Sequence, residues 1–261
     1  MPSLMPFGLP LAALAALLVV LATAGLVSGL SGFGFSAIGA AILAVLPPSE
    51  GVPLLMALST ANQLLSLGRL RSEMGPVSQW WPHGPGPYLA GGVLGLPWGL
   101  WLLHQLSSSA LLLCFGALLF AYAVFSLLRP PRWRVSAGGS TTRGLVGFAG
   151  GVLGGFTAFP GAAVVVWLNL AGTSKTAARA TTQPYILGMQ CVALALLALT
   201  RPESFGPQFL GLFAVSLPVV LPFTLAGVAI YRRLSDRNFR QATLMLLAIA
   251  GIGLFGKALA M

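Results

Sequence analysis

The sequence predicts an all-α integral membrane protein: a polytopic bundle of about ten hydrophobic segments, arranged as two inverted repeats with broken, glycine-rich helices. Three observations carry this expectation. Of 261 residues only 18 are formally charged (14 basic, 4 acidic), while 57% are hydrophobic. The apolar residues fall into long runs separated by short basic loops. The two halves repeat a glycine pattern in the same order.

Such a chain cannot cover a soluble surface with charge, and its mean hydropathy is +0.91. The net charge of +10 does not indicate nucleic acid, because the basic residues are scattered among loops rather than gathered in one patch. That scatter suits cytoplasmic loops under the positive-inside rule. The lipid bilayer is therefore the expected surrounding. Cys114 and Cys191 lie in apolar runs and read as small core residues, not a disulfide or metal site. Met1–Pro10 carries no Lys or Arg, so the first apolar run is read as a retained helix rather than a signal peptide.

A spanning helix needs about 20 largely apolar residues. In the first half the apolar segments are Leu9–Leu30, Gly32–Leu46, Val52–Leu67, Pro87–His104 and Ala110–Leu128. In the second they are Gly144–Phe156, Pro160–Leu170, Ala178–Leu199, Phe205–Tyr231 and Phe239–Ala260. The expected organisation is a first repeat over 1–128, a cytoplasmic linker over 129–143 rich in Arg, Pro and Gly, and a second repeat over 144–261. Gly32–Leu46, Gly144–Phe156 and Pro160–Leu170 are too short to cross alone and read as half-helices or re-entrant hairpins.

Gly25, Gly29, Gly32 and Gly39 match Gly147, Gly151, Gly154 and Gly161 at an offset of 122. Asn62-Gln63 answers Thr182-Gln183 at 120, and Leu96-Pro97 answers Leu217-Pro218 at 121. Five segments per half invert the second copy. Loop charge agrees: Arg69, Arg71, the 129–143 loop, Lys175, Arg179, Arg232, Arg233, Arg237 and Arg240 all fall on one face. That face is cytoplasmic, which places both termini outside.

Inverted repeats with interrupted helices mark transporters, whose substrate sits at the repeat interface near midplane. A helix that begins inside the membrane offers free N–H groups to an anion, and glycine lets backbone come close. The candidate site residues are Ser31 and Gly32 at the first break, with Gly154 and Thr157 at the second. Asn62, Gln63, Thr182 and Gln183 join them as non-titrating donors. Arg179, four residues before Gln183, would add positive potential on the same helical face. The same glycines also suit close helix packing, and the same amides suit interhelical hydrogen bonds. His83 and His104 read as interfacial polar residues, and Trp80, Trp81, Trp98, Trp101, Trp133 and Trp167 as interface anchors. No predicted span contains Asp or Glu, which disfavours carboxylate-based proton or sodium coupling. No cofactor is expected.

GLVSGLSGFG followed by ALSTANQ, and GFAGGVLGGF followed by ARATTQP, resemble the TauE/SafE family of sulfite and organosulfonate exporters. The resemblance runs from about Gly25 to the C-terminus. It implies a non-enzymatic transporter of a small sulfur-containing anion in a bacterial inner membrane, with a homo-oligomer left open. Phe33, Phe35, Phe156 and Phe159 interrupt the glycine runs, and Pro160 follows the second one directly. The competing readings are a membrane enzyme or assembly factor for a lipid-linked substrate and a cation or metal permease. Neither has a recognisable acid–base pair or ligand cluster in the sequence.

Overall fold

A computed structural model describes residues 8–69, 80–81, 84–128, 135, 138–233, 235, 241, 245 and 252. Among the described residues the chain is helical and contains no strand. The helices are α1 (Leu11–Ser31), α2 (Phe35–Gly39), α3 (Pro48–Arg69), α4 (Gly86–Gln105), α5 (Ser108–Leu128), α6 (Ser140–Thr157), α7 (Gly161–Leu170), α8 (Lys175–Thr200) and α9 (Pro207–Tyr231). Short 3-10 turns, Ala40–Ala44 and Pro202–Phe205, follow α2 and α8. Among the described residues, α1, α8 and α9 are long and apolar enough to cross a membrane. Leu94, Leu145, Leu199 and Trp98 stand exposed while Asn62, Gln63, Arg179, Gln183 and Gln190 are buried. Apolar groups outside and polar groups inside suit a lipid surrounding.

The helices pack through two glycine seams. Gly91, Gly95 and Gly99 of α4 lie against the backbone at Gly144, Phe148 and Val152 of α6. The residue numbers climb together, so α4 and α6 run parallel. Gly25 and Gly29 of α1 lie against Val220 and Thr224 of α9, again in parallel, and Gly227 answers from α9 against Leu26 and Leu30. A methyl group at Gly29, Gly95 or Gly99 would land on a carbonyl of the facing helix. Small residues at a spacing of four are what such backbone contact requires.

α1 and α2 form a helical hairpin. Gly34 and Gly39 of the returning strand of chain lie against Val27 and Ala24 of α1, in descending order. Gly39 also meets Leu55, and Leu43 meets Gly51, so the return runs antiparallel to α3. In the second half α7 packs on α6 and α8 as α2 packs on α1 and α3. α3 and α8 pack together. Gln208 Nε2 donates to Glu50 at 3.1 Å, which sets the starts of α3 and α9 side by side. Lys175 and Arg179 of α8 lie over the Tyr231 ring at the end of α9. α8 therefore runs antiparallel to α9 and to α3.

Several sequence expectations need correction. The short segment expected over Gly32–Leu46 is helical over Phe35–Ala44, because the left-handed Gly32 ends α1 and helix resumes only at Phe35. The segment expected over Gly144–Phe156 is an 18-residue helix that starts at Ser140, so the expected linker ends earlier and Arg143 is helical. α3 begins at Pro48, which puts Glu50 in the first turn of a helix rather than in a loop. Cys114 and Cys191 are exposed on the helix surface, not core. The segment Phe239–Ala260 falls almost wholly outside the described residues, as do Arg71, His83, Trp133 and most of 129–143.

Candidate functional site

Both long helices that lead into a hairpin stop at a residue with left-handed backbone. Gly32 (φ 81) closes α1, its N–H donating to Ser28 O at 2.7 Å. Ala158 (φ 57) closes α6, its N–H donating to Gly154 O at 3.0 Å. The residue before each stop supplies a hydroxyl. Ser31 Oγ accepts from the N–H groups of Phe33 (3.3 Å) and Gly34 (3.0 Å). Thr157 Oγ1 accepts from Phe159 N–H at 3.1 Å and donates to Leu153 O at 2.5 Å. These hydroxyls satisfy backbone donors that an interrupted helix would otherwise leave bare.

The carbonyl of each left-handed residue receives a glutamine amide. Gln63 Nε2 of α3 donates to Gly32 O at 3.0 Å, and Gln190 Nε2 of α8 donates to Ala158 O at 3.4 Å. Gln63 lies 15 residues after the start of α3 and Gln190 15 after the start of α8. Because α3 and α8 are antiparallel, each hairpin tip is reached from the opposite end of the bundle at about 22 Å, at 1.5 Å per residue. The tips also touch: Ser36 Oγ of α2 donates to Ala158 O.

Arg179 joins the first tip. Its Nη2 donates to Gly29 O at 2.8 Å and its Nη1 to Leu30 O at 3.3 Å. These are carbonyls at the C-terminal end of α1, where the helix dipole is negative. The guanidinium lies 4.2 Å from the centroid of the Tyr231 ring and is shielded there, with the residue 4% exposed. The side chain also runs across Gly32, where a methyl group would come within 3.1 Å of it. The sequence favours a loop charge for Arg179; the structure buries it against the break instead.

Beside this tip, Asn62 Nδ2 donates to Ser28 Oγ at 2.7 Å and Asn62 Oδ1 accepts from Thr224 Oγ1 at 2.7 Å. That chain ties α1, α3 and α9 together. Gln183 lies one turn beyond Arg179 on α8, fully buried, with both amide atoms unbonded to protein. Pro184 follows it inside the helix and removes the N–H that would bond the carbonyl of Ala180. Thr182 packs near Gly161 at the start of α7.

The structure thus brings Gln63 and Arg179 onto the first break at Gly32, next to Ser31 in the chain, with Asn62 and Gln183 near them on their helices. Thr157 and Gly154 belong to the second tip. A methyl group on Gly154 would run into Pro160. The sequence pairs Gln63 with Gln183, whereas the hydrogen bonds pair Gln63 with Gln190. Gly227 meets Leu26 and Gly29, and Gly99 meets Val152 and Gly155. Ser28, Ser66, Gln190 and Thr224 are buried polar residues that the sequence reading passes over. A glutamine inside the apolar run that follows Pro184 is a signal that could have found Gln190.

A family model described as "Sulfite exporter TauE/SafE" matches residues 16–254. The searches of curated proteins and of solved structures gave no match.

Proposed function

Because this chain belongs to the TauE/SafE family of sulfite exporters, we propose that it carries sulfite or a small organosulfonate out across a bacterial inner membrane. The path runs through a midplane site where the two hairpin tips meet. The tips belong to two inverted repeats, joined by a cytoplasmic linker that begins at 129 and ends where α6 starts at Ser140. Both termini then lie outside.

Three features support the repeats. α1 pairs in parallel with α9 as α6 does with α4, each the first helix of one half with the fourth of the other. α3 and α8, the third long elements, pair with each other. Both hairpin tips are built alike, from a left-handed residue, a preceding hydroxyl and a glutamine amide.

The single observation that carries the site is the burial of Arg179 against the first tip, among amides and hydroxyls that do not titrate. A cation held inside an apolar bundle lowers the cost of an anion beside it. An interior-negative cell drives such an anion outward without a coupling ion. The hairpins are the natural moving parts, because Ser36–Ala158 is a side-chain link between their tips rather than continuous helix. The test is efflux of sulfite from proteoliposomes that hold the purified chain. Saturable efflux that follows an imposed voltage is expected. Leak-level flux for sulfite and for every small sulfonate tried defeats the reading.

A further inference from the structure

Arg179 is buried for a reason that its place on α8 does not supply. It stands four residues after Lys175, the first residue of the helix, and so about 6 Å along the axis from its start. An arginine that close to a helix end ordinarily extends its head into water. Here the residue is 4% exposed, and Tyr231, the last residue of α9, is 4% exposed with it. The Tyr231 ring lies 4.2 Å from the Arg179 guanidinium and 5.2 Å from the Lys175 ammonium. One ring thus serves two cations a helical turn apart. Arg232 and Arg233 follow it directly and are exposed. Tyr231 therefore stands between the basic surface of this end and the buried cation at the first tip.

The contacts described for the guanidinium are ones that an anion can replace. Gly29 O and Leu30 O are neutral carbonyls, and the ring offers only its quadrupole. A guanidinium binds an oxyanion more strongly than either, and with two parallel bonds. The ring is also the contact that moves with least disturbance. The seam of α9 on α1 ends at Gly227 and Val228, before Tyr231, so the ring can turn while the seam stays closed. We infer that Tyr231 is a shutter at the basic end of the bundle. Its ring masks Arg179 until an anion takes the guanidinium, and the first tip opens to that side only then. Tyr231 is a positioning residue that acts through Arg179. The inference rests on the proposed transport function, which makes the basic end the cytoplasmic one.

Modification of Arg179 by 4-hydroxyphenylglyoxal, followed by mass spectrometry on the full chain, tests the mask without any need of flux. Tyr231→Leu keeps an apolar side chain but no ring. Tyr231→Phe keeps the ring without the hydroxyl. Pentafluorophenylalanine in place of Tyr231 keeps the shape of the ring and reverses its quadrupole, so that it tests the contact even where the leucine variant fails to fold. Arg179 should react about tenfold faster with leucine or the fluorinated ring than in the unaltered chain, the equivalent of a cation–π contact of about 1.4 kcal/mol. Tyr231→Phe should react at close to the unaltered rate. In proteoliposomes, sulfite presented at the basic end should half-saturate at a lower concentration in Tyr231→Leu, because the ring no longer competes for the cation, and at an unchanged one in Tyr231→Phe. Equal reaction rates in the unaltered chain and the fluorinated one overturn the inference, and the transport reading stands if sulfite still moves. A phenylalanine variant that reacts as fast as the leucine one assigns the hold to the hydroxyl and overturns the role of the ring. The expected reaction rates without saturable sulfite flux leave the ring over Arg179 and defeat the transport reading on which the shutter depends.

Discussion

Gln63 and Gln190 lie 127 residues apart in sequence and make the same bond: each places its amide N–H on the carbonyl of the left-handed residue that ends a broken helix. The first bond is 3.0 Å and the second 3.4 Å. Each holds a hairpin tip to the long helix beside it.

Removing either amide should therefore loosen one tip. Gln63→Ala and Gln190→Ala are each expected to lower stability by about 1 kcal/mol for the lost bond, with up to about 3 kcal/mol if the carbonyl is left bare. Thermal unfolding in detergent measures this. Gln63→Ala should also weaken sulfite transport, because Gln63 adjoins Arg179 at the first tip. A variant with unchanged melting and unchanged flux would remove Gln63 from the site.

Arg179 offers a charge test. Arg179→Lys keeps the cation but loses the two-pronged contact with Gly29 and Leu30 and the planar stacking on Tyr231. Arg179→Gln loses the charge as well. If positive potential draws the anion, flux should fall in both variants and fall further in Arg179→Gln. Equal loss in the two would assign Arg179 a purely structural role.

The two left-handed positions should respond differently. Gly32→Ala must hold φ 81 and also press its methyl group on Arg179, 3.1 Å away. The backbone strain alone costs about 1–2 kcal/mol. Ala158→Gly relieves such strain at φ 57 and should be neutral or slightly stabilising. Melting temperatures of the pair decide it, and a tolerated Gly32→Ala would contradict the packing described.

The glycine seams make a steric prediction with an internal control. A methyl group at Gly95 falls on Phe148 O, whereas no neighbouring group among the described residues lies within 4 Å of one at Gly68. Gly95→Ala should lower the yield of folded protein and its melting point. Gly68→Ala should leave folding intact, and can add up to about 1 kcal/mol through helix propensity. Size-exclusion profiles and thermal melts compare the two directly.

The helical class, the membrane setting and the glycine breaks are legible in composition and in the order of glycines, because lipid demands apolar exteriors and close packing demands small residues. Ser31 and Gln63 are legible as candidates because polar groups in apolar runs are costly, and Gly32 because its glycine-rich run reads as a helix break. Their partners are less so. An offset read from matching letters pairs Gln63 with Gln183, since Thr182-Gln183 looks most like Asn62-Gln63. The bond to the tip depends instead on distance along the helix, and Gln190 stands at that distance. Arg179 reads as a loop charge because its sequence neighbours are polar; only the approach of α1 and Tyr231 from elsewhere buries it. The start of α6 at Ser140 is masked by Arg143, which a helix end tolerates readily.

The parallel pairing of α1 with α9 bears on how the chain comes to be assembled. The face of α1 that holds Gly25 and Gly29 finds its match only when Val220–Gly227 has been made, nearly 200 residues later. The face of α6 meets α4, which is already present. During synthesis the N-terminal helix thus waits in the bilayer with a small-residue groove uncovered. A chain interrupted before α9 would keep that groove open to other helices, which makes α1 the point where quality control and misassembly would first act.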